Sequence, residues 1–181
     1  MDRVARLTDV DRFYADHRDG VFRYLRRIVG GGDAATDLTQ EVFLRVVRSG
    51  VPETSETGRR AWVYKIARNL ALNHVRNDRR RPIPVELGEV TTPGTQELAM
   101  AIGNAVADLN PLDRDIFLLR ETAGLRYDEI ATACDITIEM VRSRLHEARQ
   151  SLRAALSGTL DVRGQRGVRC TTAGPRHGLD H

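Results

Sequence analysis

The stretch TIEMVRSRLHEAR, residues Thr137–Arg149, presents two chemically different sides when it is read with helical spacing. Its apolar residues recur three or four positions apart, as on one side of a helix, and continue into the next turn: Val141, Leu145, Ala148 and Leu152. Polar residues keep the same spacing on another side: Arg142, His146 and Arg149. The apolar side predicts burial against a core, and the polar side is available to a partner.

The residues before this stretch predict a second, shorter helix and a turn. Residues 127–133 have helical spacing, with Ile130 directed inward. Residues 134–136 then form a turn, and Thr137 can cap the next helix because its hydroxyl accepts a bond from a backbone N–H. This layout is typical of a helix-turn-helix, whose second helix enters the major groove of DNA.

Helical spacing also dominates the rest of the chain, and no segment alternates convincingly as a strand does. We therefore predict an all-α protein with two small helical domains joined by a flexible linker. The predicted ranges are 9–81 for the first domain, 82–96 for the linker, 97–156 for the second domain and 157–181 for a disordered tail. The r.m.s. span of such a linker is roughly 20 Å, so it can hold two domains at separate sites.

Three helical segments are predicted in the first domain. The first, a single helix or a helix pair from about Asp9 to Val29, has a buried stripe: Phe13, Val21, Leu25, Ile28 and Val29. The second, which Asp33 can cap, ends near Gly50 and directs four residues inward: Leu38, Val42, Val46 and Val47. The third, from about Arg60 to Asp78, has apolar residues four apart, with His74 next in the same row: Trp62, Ile66 and Leu70.

Basic residues are concentrated in the third predicted helix. The chain of 181 residues has a net charge of only +3, yet eight basic residues and one acid, Asp78, lie between Arg59 and Arg81. An arginine-rich strip suits a polyanion, because guanidinium groups pair with phosphate oxygens through two hydrogen bonds. The alternative is a solvated helix face, for which interspersed acids, as in the first thirty residues, would be expected.

Several functional classes receive no support from the sequence. Because there is neither a long apolar run nor an apolar leader, we expect a cytoplasmic protein without membrane insertion. There is no catalytic triad, paired-carboxylate site or phosphate-binding loop, so neither an enzyme nor a cofactor is expected. Cys134 and Cys170 are interpreted as a core thiol and a tail thiol. Cys170, His177 and His181 are a weak metal set, and no metal is predicted.

Two segments resemble conserved regions of bacterial sigma factors of the sigma-70 family. DLTQEVFLRV (Asp37–Val46) with AWVYKIARNLALNHVRNDRRR (Ala61–Arg81) is similar to region 2. LNPLDRDIFLLRETAGLRYDEIATACDITIEMVRSRLHEARQSL, residues 109–152, is similar to region 4. Both regions, in this order across a short linker, resemble the extracytoplasmic-function (ECF) class, and the resemblance covers about residues 9–156.

The resemblance implies a factor that binds the beta and beta-prime subunits of core RNA polymerase and directs promoter recognition, DNA opening and transcription initiation. In the family, a DLxQE helix docks on the clamp helices of polymerase, which points here to Asp37, Leu38, Gln40, Glu41, Phe43 and Leu44. Phe43 and Leu44 lie off the Leu38/Val42 stripe, so we expect an apolar pair for a partner; a wider core stripe is the alternative. An anti-sigma factor is a further implied partner, and the tail could regulate the protein instead.

Two DNA-binding sets follow from the same resemblance. Opened minus-10 DNA is expected at Glu53, Thr54, Ser55, Glu56, Thr57, Lys65, Arg68, Asn69, Asn73 and Arg76, where Asn can bond exposed base edges and the cations can track phosphates. Minus-35 duplex DNA is expected at Arg126, Thr137, Arg142, Ser143, Arg144, His146, Glu147 and Arg149. Glu139 and Glu147 depart from the family pattern, because carboxylates repel phosphates. The alternative function, a stand-alone helix-turn-helix regulator, leaves the first domain without a role.

Overall fold

The computed structural model describes residues 2–77 and 93–166, with side-chain surroundings for 9–77 and 96–157. This part of the chain is helical, without strands: α1 (Asp2–Val29), α2 (Gly32–Ser49), α3 (Glu56–Asn77), α4 (Pro93–Ala107), α5 (Pro111–Glu121), α6 (Tyr127–Cys134) and α7 (Ile138–Arg166). The first three helices pack together, and the last four form a second bundle. The predicted all-α fold with two helical domains is confirmed.

Helix α1 supplies much of the core of the first domain. Four residues of its predicted stripe are buried, whereas Val29 is only partly covered: Phe13, Val21, Leu25 and Ile28. Tyr24, which the apolar spacing did not single out, is also fully buried. The helix ends before Gly30, which has a φ of 70°, a left-handed conformation that glycine adopts without a side-chain clash.

Helix α2 corrects three predictions. It begins at Gly32 with Gly31 as its N-cap, so Asp33 does not cap it but lies in the first turn, where a negative charge is favourable. Val47 is 58% exposed, although the spacing predicted burial. Phe43 is only 5% exposed, and its ring centroid lies 4.7 Å from that of Tyr14. The buried stripe is wider than predicted because α2 packs against both α1 and α3.

Helix α3 begins four residues before the predicted start, and the hydroxyl of Ser55 accepts a bond from the Gly58 N–H at 3.2 Å. Its buried stripe is also shifted around the helix axis relative to the prediction: Ala61, Val63, Tyr64, Ala67, Leu70 and Ala71. Trp62, Ile66 and His74 are only half-buried, so among the predicted row Leu70 alone is a core residue. Alanines replace the expected large residues because small side chains let neighbouring helices approach closely.

The second domain contains the predicted helix-turn-helix. Asn110 caps α5 as predicted, since its side chain accepts from the N–H of Leu112 at 3.1 Å. The turn after α6 contains Asp135 with a φ of 55°, a conformation that short polar side chains tolerate. Thr137 caps α7 by accepting from the N–H of Met140 at 3.2 Å. The cap and the turn predicted from the sequence are therefore confirmed.

Two predicted boundaries differ from the structure. Helix α4 begins at Pro93, so the last four residues assigned to the linker are helical, and residues 82–92 lie outside the described part. Helix α7 continues to Arg166, so the expected disorder from residue 157 needs correction over residues 157–166. Each residue added to the end of an existing helix forms one more backbone hydrogen bond. A helix that is anchored by packing can therefore extend beyond its packed turns. Cys170, His177 and His181 lie outside the described residues.

Candidate polymerase and nucleic-acid interfaces

Helix α7 has the two sides that the sequence predicted. Its apolar row is buried in the second domain: Val141, Leu145, Ala148 and Leu152. The residues expected to reach base edges are exposed on the remaining surface: Arg142, Ser143, His146 and Glu147. The helix therefore presents a polar surface at the position of a recognition helix, supported from behind by core packing.

Two arginines of the predicted minus-35 set also hold the second domain together. Nη1 of Arg144 lies 3.6 Å from Asp113 of α5 and 3.5 Å from Glu147 one turn along α7. Nη2 of Arg149 lies 3.1 Å from Glu121 at the end of α5. Because both guanidinium groups pair with carboxylates, their positive charge toward DNA is partly neutralised.

Acidic side chains are also fixed beside the exposed face of α7. The hydroxyl of Ser143 donates to Glu147 at 3.2 Å, so these two side chains form one hydrogen-bonded pair. Hydrogen bonds from its own backbone N–H and from Thr137 lower the pKa of Glu139, so that carboxylate stays ionised at neutral pH. The electrostatic departure from the family pattern is therefore present on the surface.

Arg126, the last residue of this set, lies at the start of α6. Its backbone N–H donates to the carboxylate of Glu129 at 2.6 Å, which supplies a capping bond from the first turn of the helix. Its guanidinium is exposed and lies 3.3 Å from Asp128. The side chain can therefore reach solvent or DNA while the backbone is held in place.

The structure divides the predicted minus-10 set into two groups. The first group is exposed and comprises most of the loop and one surface of α3: Glu53, Thr54, Ser55, Glu56, Asn69, Asn73 and Arg76. Thr57 is half-buried in the first turn of α3, and its hydroxyl lies 3.0 Å from that of Ser55. The second group, Lys65 and Arg68, lies on a neighbouring side of α3 that faces the second domain.

The two domains meet where α3 packs against α6 and α1 packs against α5. Nζ of Lys65 lies 2.5 Å from the carboxylate of Asp135 in the helix-turn-helix. The guanidinium of Arg68 forms a salt bridge with Asp115 of α5. Arg60 donates to the carbonyl of Ala123 at 2.5 Å. These contacts were not predicted, because the sequence pointed to separated domains.

Asp115 is a buried carboxylate in this contact, with 3% of its surface exposed. Its carboxylate accepts from the Tyr24 hydroxyl at 2.5 Å and from Arg68, both in the first domain. Burial raises the pKa of Asp115, while Arg68 and the Tyr24 bond act in the opposite direction. Cys134 of α6 is also buried, and desolvation raises its pKa to about 12.

The predicted polymerase-binding residues of α2 differ in how far they are exposed to solvent. Asp37, Gln40 and Leu44 are exposed, Leu38 and Glu41 are half-buried, and Phe43 belongs to the core. Of the expected apolar pair, only Leu44 is exposed, at 48%. The second exposed apolar residue of α2 is Val47 and not Phe43. The alternative of a wider core stripe is correct for Phe43.

A groove of about 670 Å³ runs between α1 and α2 beside these residues. Gln40, Phe43, Leu44 and Val47 line one wall, and Tyr14 and Phe22 of α1 contribute to the other. The contribution of α1 was not predicted, although Tyr14 and Phe22 are eight positions apart on one helical side. The exposed apolar atoms and the concave shape make this groove suitable for a partner helix.

Among the described helices, none is long and apolar enough to cross a membrane. The described side chains include no group of three His, Cys, Asp or Glu residues that could hold a metal ion.

The chain matches known proteins of one family. The family model described as "Sigma-70 region 2" matches residues 13–81, and the one described as "Sigma-70, region 4" matches residues 99–152. The ECF RNA polymerase sigma factor SigC of Mycobacterium tuberculosis is 30% identical over 153 residues, which cover 80% of this chain and 82% of SigC. SigE of Mycolicibacterium smegmatis is 33% identical over 161 residues, and the match spans 81% of this chain but only 61% of SigE.

Solved structures show the same fold at lower identity. CnrH, solved with the cytosolic domain of CnrY, has a TM-score of 0.64 and 18% identity, and the match covers 82% of this chain and 88% of CnrH. RpoE of Bartonella quintana, solved with the anti-sigma factor NepR, has a TM-score of 0.64 and 19% identity, with 82% and 97% covered. The chain belongs to the sigma-70 family, in its ECF group, as the sequence motifs indicated.

Proposed function

We propose that the chain binds core RNA polymerase, through its beta and beta-prime subunits, and directs it to start transcription at a particular class of promoter. In this role α7 reads minus-35 duplex DNA, while α3 and the loop before it bind the opened minus-10 strand. The protein is an initiation factor that acts in the cytoplasm, where polymerase acts, and the chemistry of transcription belongs to the polymerase. An anti-sigma factor is a further proposed partner, because RpoE was solved with one.

The groove between α1 and α2 is the single observation that carries this proposal. A stand-alone helix-turn-helix regulator needs the second domain but has no use for an apolar groove in the first. Leu44 and Val47 are respectively 48% and 58% exposed at its edge, and burying the exposed half of such side chains in a complex contributes about 1 kcal/mol each. The groove therefore has enough apolar surface for a docking site.

The two DNA-binding surfaces support complementary roles. Asn69, Asn73 and Arg76 are exposed together on α3, where amide groups can bond unpaired base edges and the arginine can pair with phosphate. On α7, Arg142 and His146 are exposed at positions suited to the major groove. One chain thus carries a surface for opened DNA and another for duplex DNA.

Core binding by two matched variants tests the role of the groove. Leu44→Arg places a charge in the groove and should weaken binding to core polymerase at least about tenfold, since it loses about 1.4 kcal/mol or more. Leu98→Arg is the control, because Leu98 is 44% exposed but lies on α4, away from the groove. Affinity is measured by fluorescence anisotropy with labelled protein, and runoff transcription across a genomic library then reads the promoter.

The outcomes separate the sigma-factor role from the regulator alternative. Loss of core binding in Leu44→Arg alone, together with promoter-dependent transcripts from the wild type, supports the proposal. If the wild type binds duplex DNA but neither core polymerase nor any promoter-dependent start is detected, the sigma-factor role is wrong. Equal weakening by both leucine variants would reject the groove as the docking site.

A further inference from the structure

Glu147 places a carboxylate on the face of α7 to which the proposed function assigns minus-35 duplex DNA. Its side chain is 53% exposed, and it lies one helical turn beyond Ser143 on the same side of the helix. A carboxylate is repelled by phosphates, because the charges have the same sign. Its favourable partners in the major groove are therefore the hydrogen-bond donors on the bases.

Neighbouring side chains hold both oxygens of the Glu147 carboxylate. Oε1 accepts from the Ser143 hydroxyl at 3.2 Å, and Oε2 lies 3.5 Å from Nη1 of Arg144. An ionised carboxylate has about four lone-pair sites, so one partner on each oxygen leaves each able to accept another hydrogen bond. The group is thus fixed in position and can still accept from a base.

Asp113 of α5 anchors this arrangement from behind. It is 7% exposed and lies 3.6 Å from the same Nη1 of Arg144. Burial raises the pKa of Asp113, Arg144 acts in the opposite direction, and the charge of Glu147 raises it further. A buried carboxylate is costly unless it is paired, so Asp113 holds Arg144 in place. Through Arg144, it also limits where the Glu147 carboxylate can lie.

Glu139, the other acid beside the exposed face, is engaged differently. Its carboxylate accepts hydrogen bonds from its own backbone N–H and from Thr137, at the start of α7. Glu147, by contrast, is bonded to Ser143, a residue that is itself expected to reach base edges. Of the two acids, Glu147 is therefore the one directed along the base-reading side of the helix.

The four bases differ in what they offer a carboxylate in the major groove. Cytosine presents only an amino donor there, whereas adenine presents an amino donor beside the acceptor N7. Guanine and thymine present acceptor oxygens, which repel a carboxylate. The expected order of preference opposite Glu147 is therefore cytosine first, adenine second, and guanine and thymine last.

We propose that Glu147 determines specificity at one base pair of the minus-35 element by accepting a hydrogen bond from the N4 amino group of cytosine, with Arg144 and Asp113 as the positioning residues that hold its carboxylate. This base contact rests on the duplex-reading role proposed for α7. It does not depend on polymerase. Arg144 then orients an acid on α7, and its charge serves that acid before it serves a phosphate.

Selection from random duplexes shows which base is read. The full chain enriches duplexes from a pool randomised over about one helical turn, at low salt, where phosphate contacts are strongest. Fluorescence anisotropy then compares the enriched duplex with its single-pair variants at each position. At one position, the wild type should bind the cytosine duplex at least about fivefold more tightly than the guanine or thymine duplex.

Two variants of Glu147 assign that position to its carboxylate. Glu147→Gln removes the charge and adds a donor, and because a glutamine amide can bond both N6 and N7 of adenine, the preference should change from cytosine to adenine. Glu147→Ala should abolish the preference. Glu97→Gln is the control, since it removes the same charge from an exposed position on α4 and should keep the cytosine preference.

The base contact is overturned if the cytosine preference is unchanged in both Glu147 variants. It is also overturned if the wild type shows no position at which cytosine is preferred.

Asp113→Asn separates a positioning role from a structural one. The change keeps the shape of the side chain but removes the charge that holds Arg144. The cytosine preference should fall at least about twofold, because a carboxylate that is no longer held must be ordered on binding. Affinity for duplexes without that cytosine should rise, since the released Arg144 can pair with phosphate. A loosened domain would instead lower affinity for all duplexes.

An unchanged cytosine preference in Asp113→Asn, or an equal loss of affinity for all duplexes, rejects Asp113 as a positioning residue. Should Asp113→Asn not fold, Arg144→Gln takes its place. It removes the cation from the exposed side and should also reduce the cytosine preference, and an unchanged preference rejects the positioning role. Failure to bind core polymerase would reject the sigma-factor role but leave these duplex measurements unchanged, so the two hypotheses can fail separately.

Discussion

Helices α3 and α7 are the two predicted DNA-binding helices, and they differ in what covers them. Each buries one side in its own domain, but the polar side of α7 faces solvent, whereas part of the basic side of α3 faces the other domain. The acids that contact Arg144 and Arg149 of α7 come from its own domain, while those that contact Lys65 and Arg68 come from 47 or more positions away. Local sequence can therefore describe the surface of α7 but only part of that of α3.

Removing the core support of α7 should give the largest effect. Leu145→Ala leaves a cavity behind the recognition helix and is expected to destabilise the second domain by about 2–5 kcal/mol. Trp62, the only tryptophan, lies in α3, so its fluorescence follows the first domain in urea while far-ultraviolet circular dichroism follows both. The dichroism transition should move to lower urea, with the Trp62 transition nearly unchanged.

Leu145→Met is the control for this change, since a swap of similar volume costs less than about 1.5 kcal/mol. If both probes shift together in Leu145→Ala, the two domains unfold as one unit. The statement that α3 and α7 are each stabilised by the core of their own domain would then be wrong.

A change on the exposed side of α7 should have a smaller and more selective effect. Arg142→Ala removes an expected base or phosphate contact, and should weaken binding to the minus-35 duplex by about 1–3 kcal/mol. Arg153→Ala is matched to it, because Arg153 is also an exposed arginine of α7 but lies beyond the proposed contact face. Anisotropy with the duplex found by runoff transcription measures both, and equal losses would mean that only net charge matters.

Asn69 tests the corresponding exposed side of α3, with the smallest expected effect. Asn69→Ala should weaken open-complex formation by about 0.5–1.5 kcal/mol, the usual contribution of one hydrogen bond, without altering affinity for core polymerase. Asn104→Ala on α4 is the control, because the Asn104 side chain is also exposed and has no proposed DNA contact. Permanganate reactivity of the minus-10 thymines gives the readout; wild-type reactivity in Asn69→Ala would remove that residue from the site.

The sequence predicted the second domain well because its signals are local. The row of Val141, Leu145 and Ala148 repeats within one helix, and both the Asn110 and Thr137 caps bond residues two or three positions away. The first domain was predicted less well, since the position of α3 in its bundle depends on size as well as hydrophobicity. Trp62 is the larger side chain, yet Ala67 is the buried one.

The candidate site was predictable only where exposure follows from helical spacing. Asp115 looks like an ordinary surface acid of α5, and nothing near it in the sequence identifies Tyr24 as a hydrogen-bond donor, because the two lie 91 positions apart. The same limit applies to Tyr14 and Phe22, whose role in the groove depends on the approach of α2. Contacts between helices, unlike patterns within them, depend on the packed arrangement of the whole chain.

The left-handed turn at Asp135 has a consequence for how this protein can evolve. Glycine would fit a φ of 55° with less strain, and asparagine would fit it about as well as aspartate. Either replacement, however, removes the carboxylate that meets Lys65. Substitutions that improve or preserve the turn therefore remove a salt bridge to the first domain, so selection on this single position acts on the helix-turn-helix backbone and on the contact between the domains together.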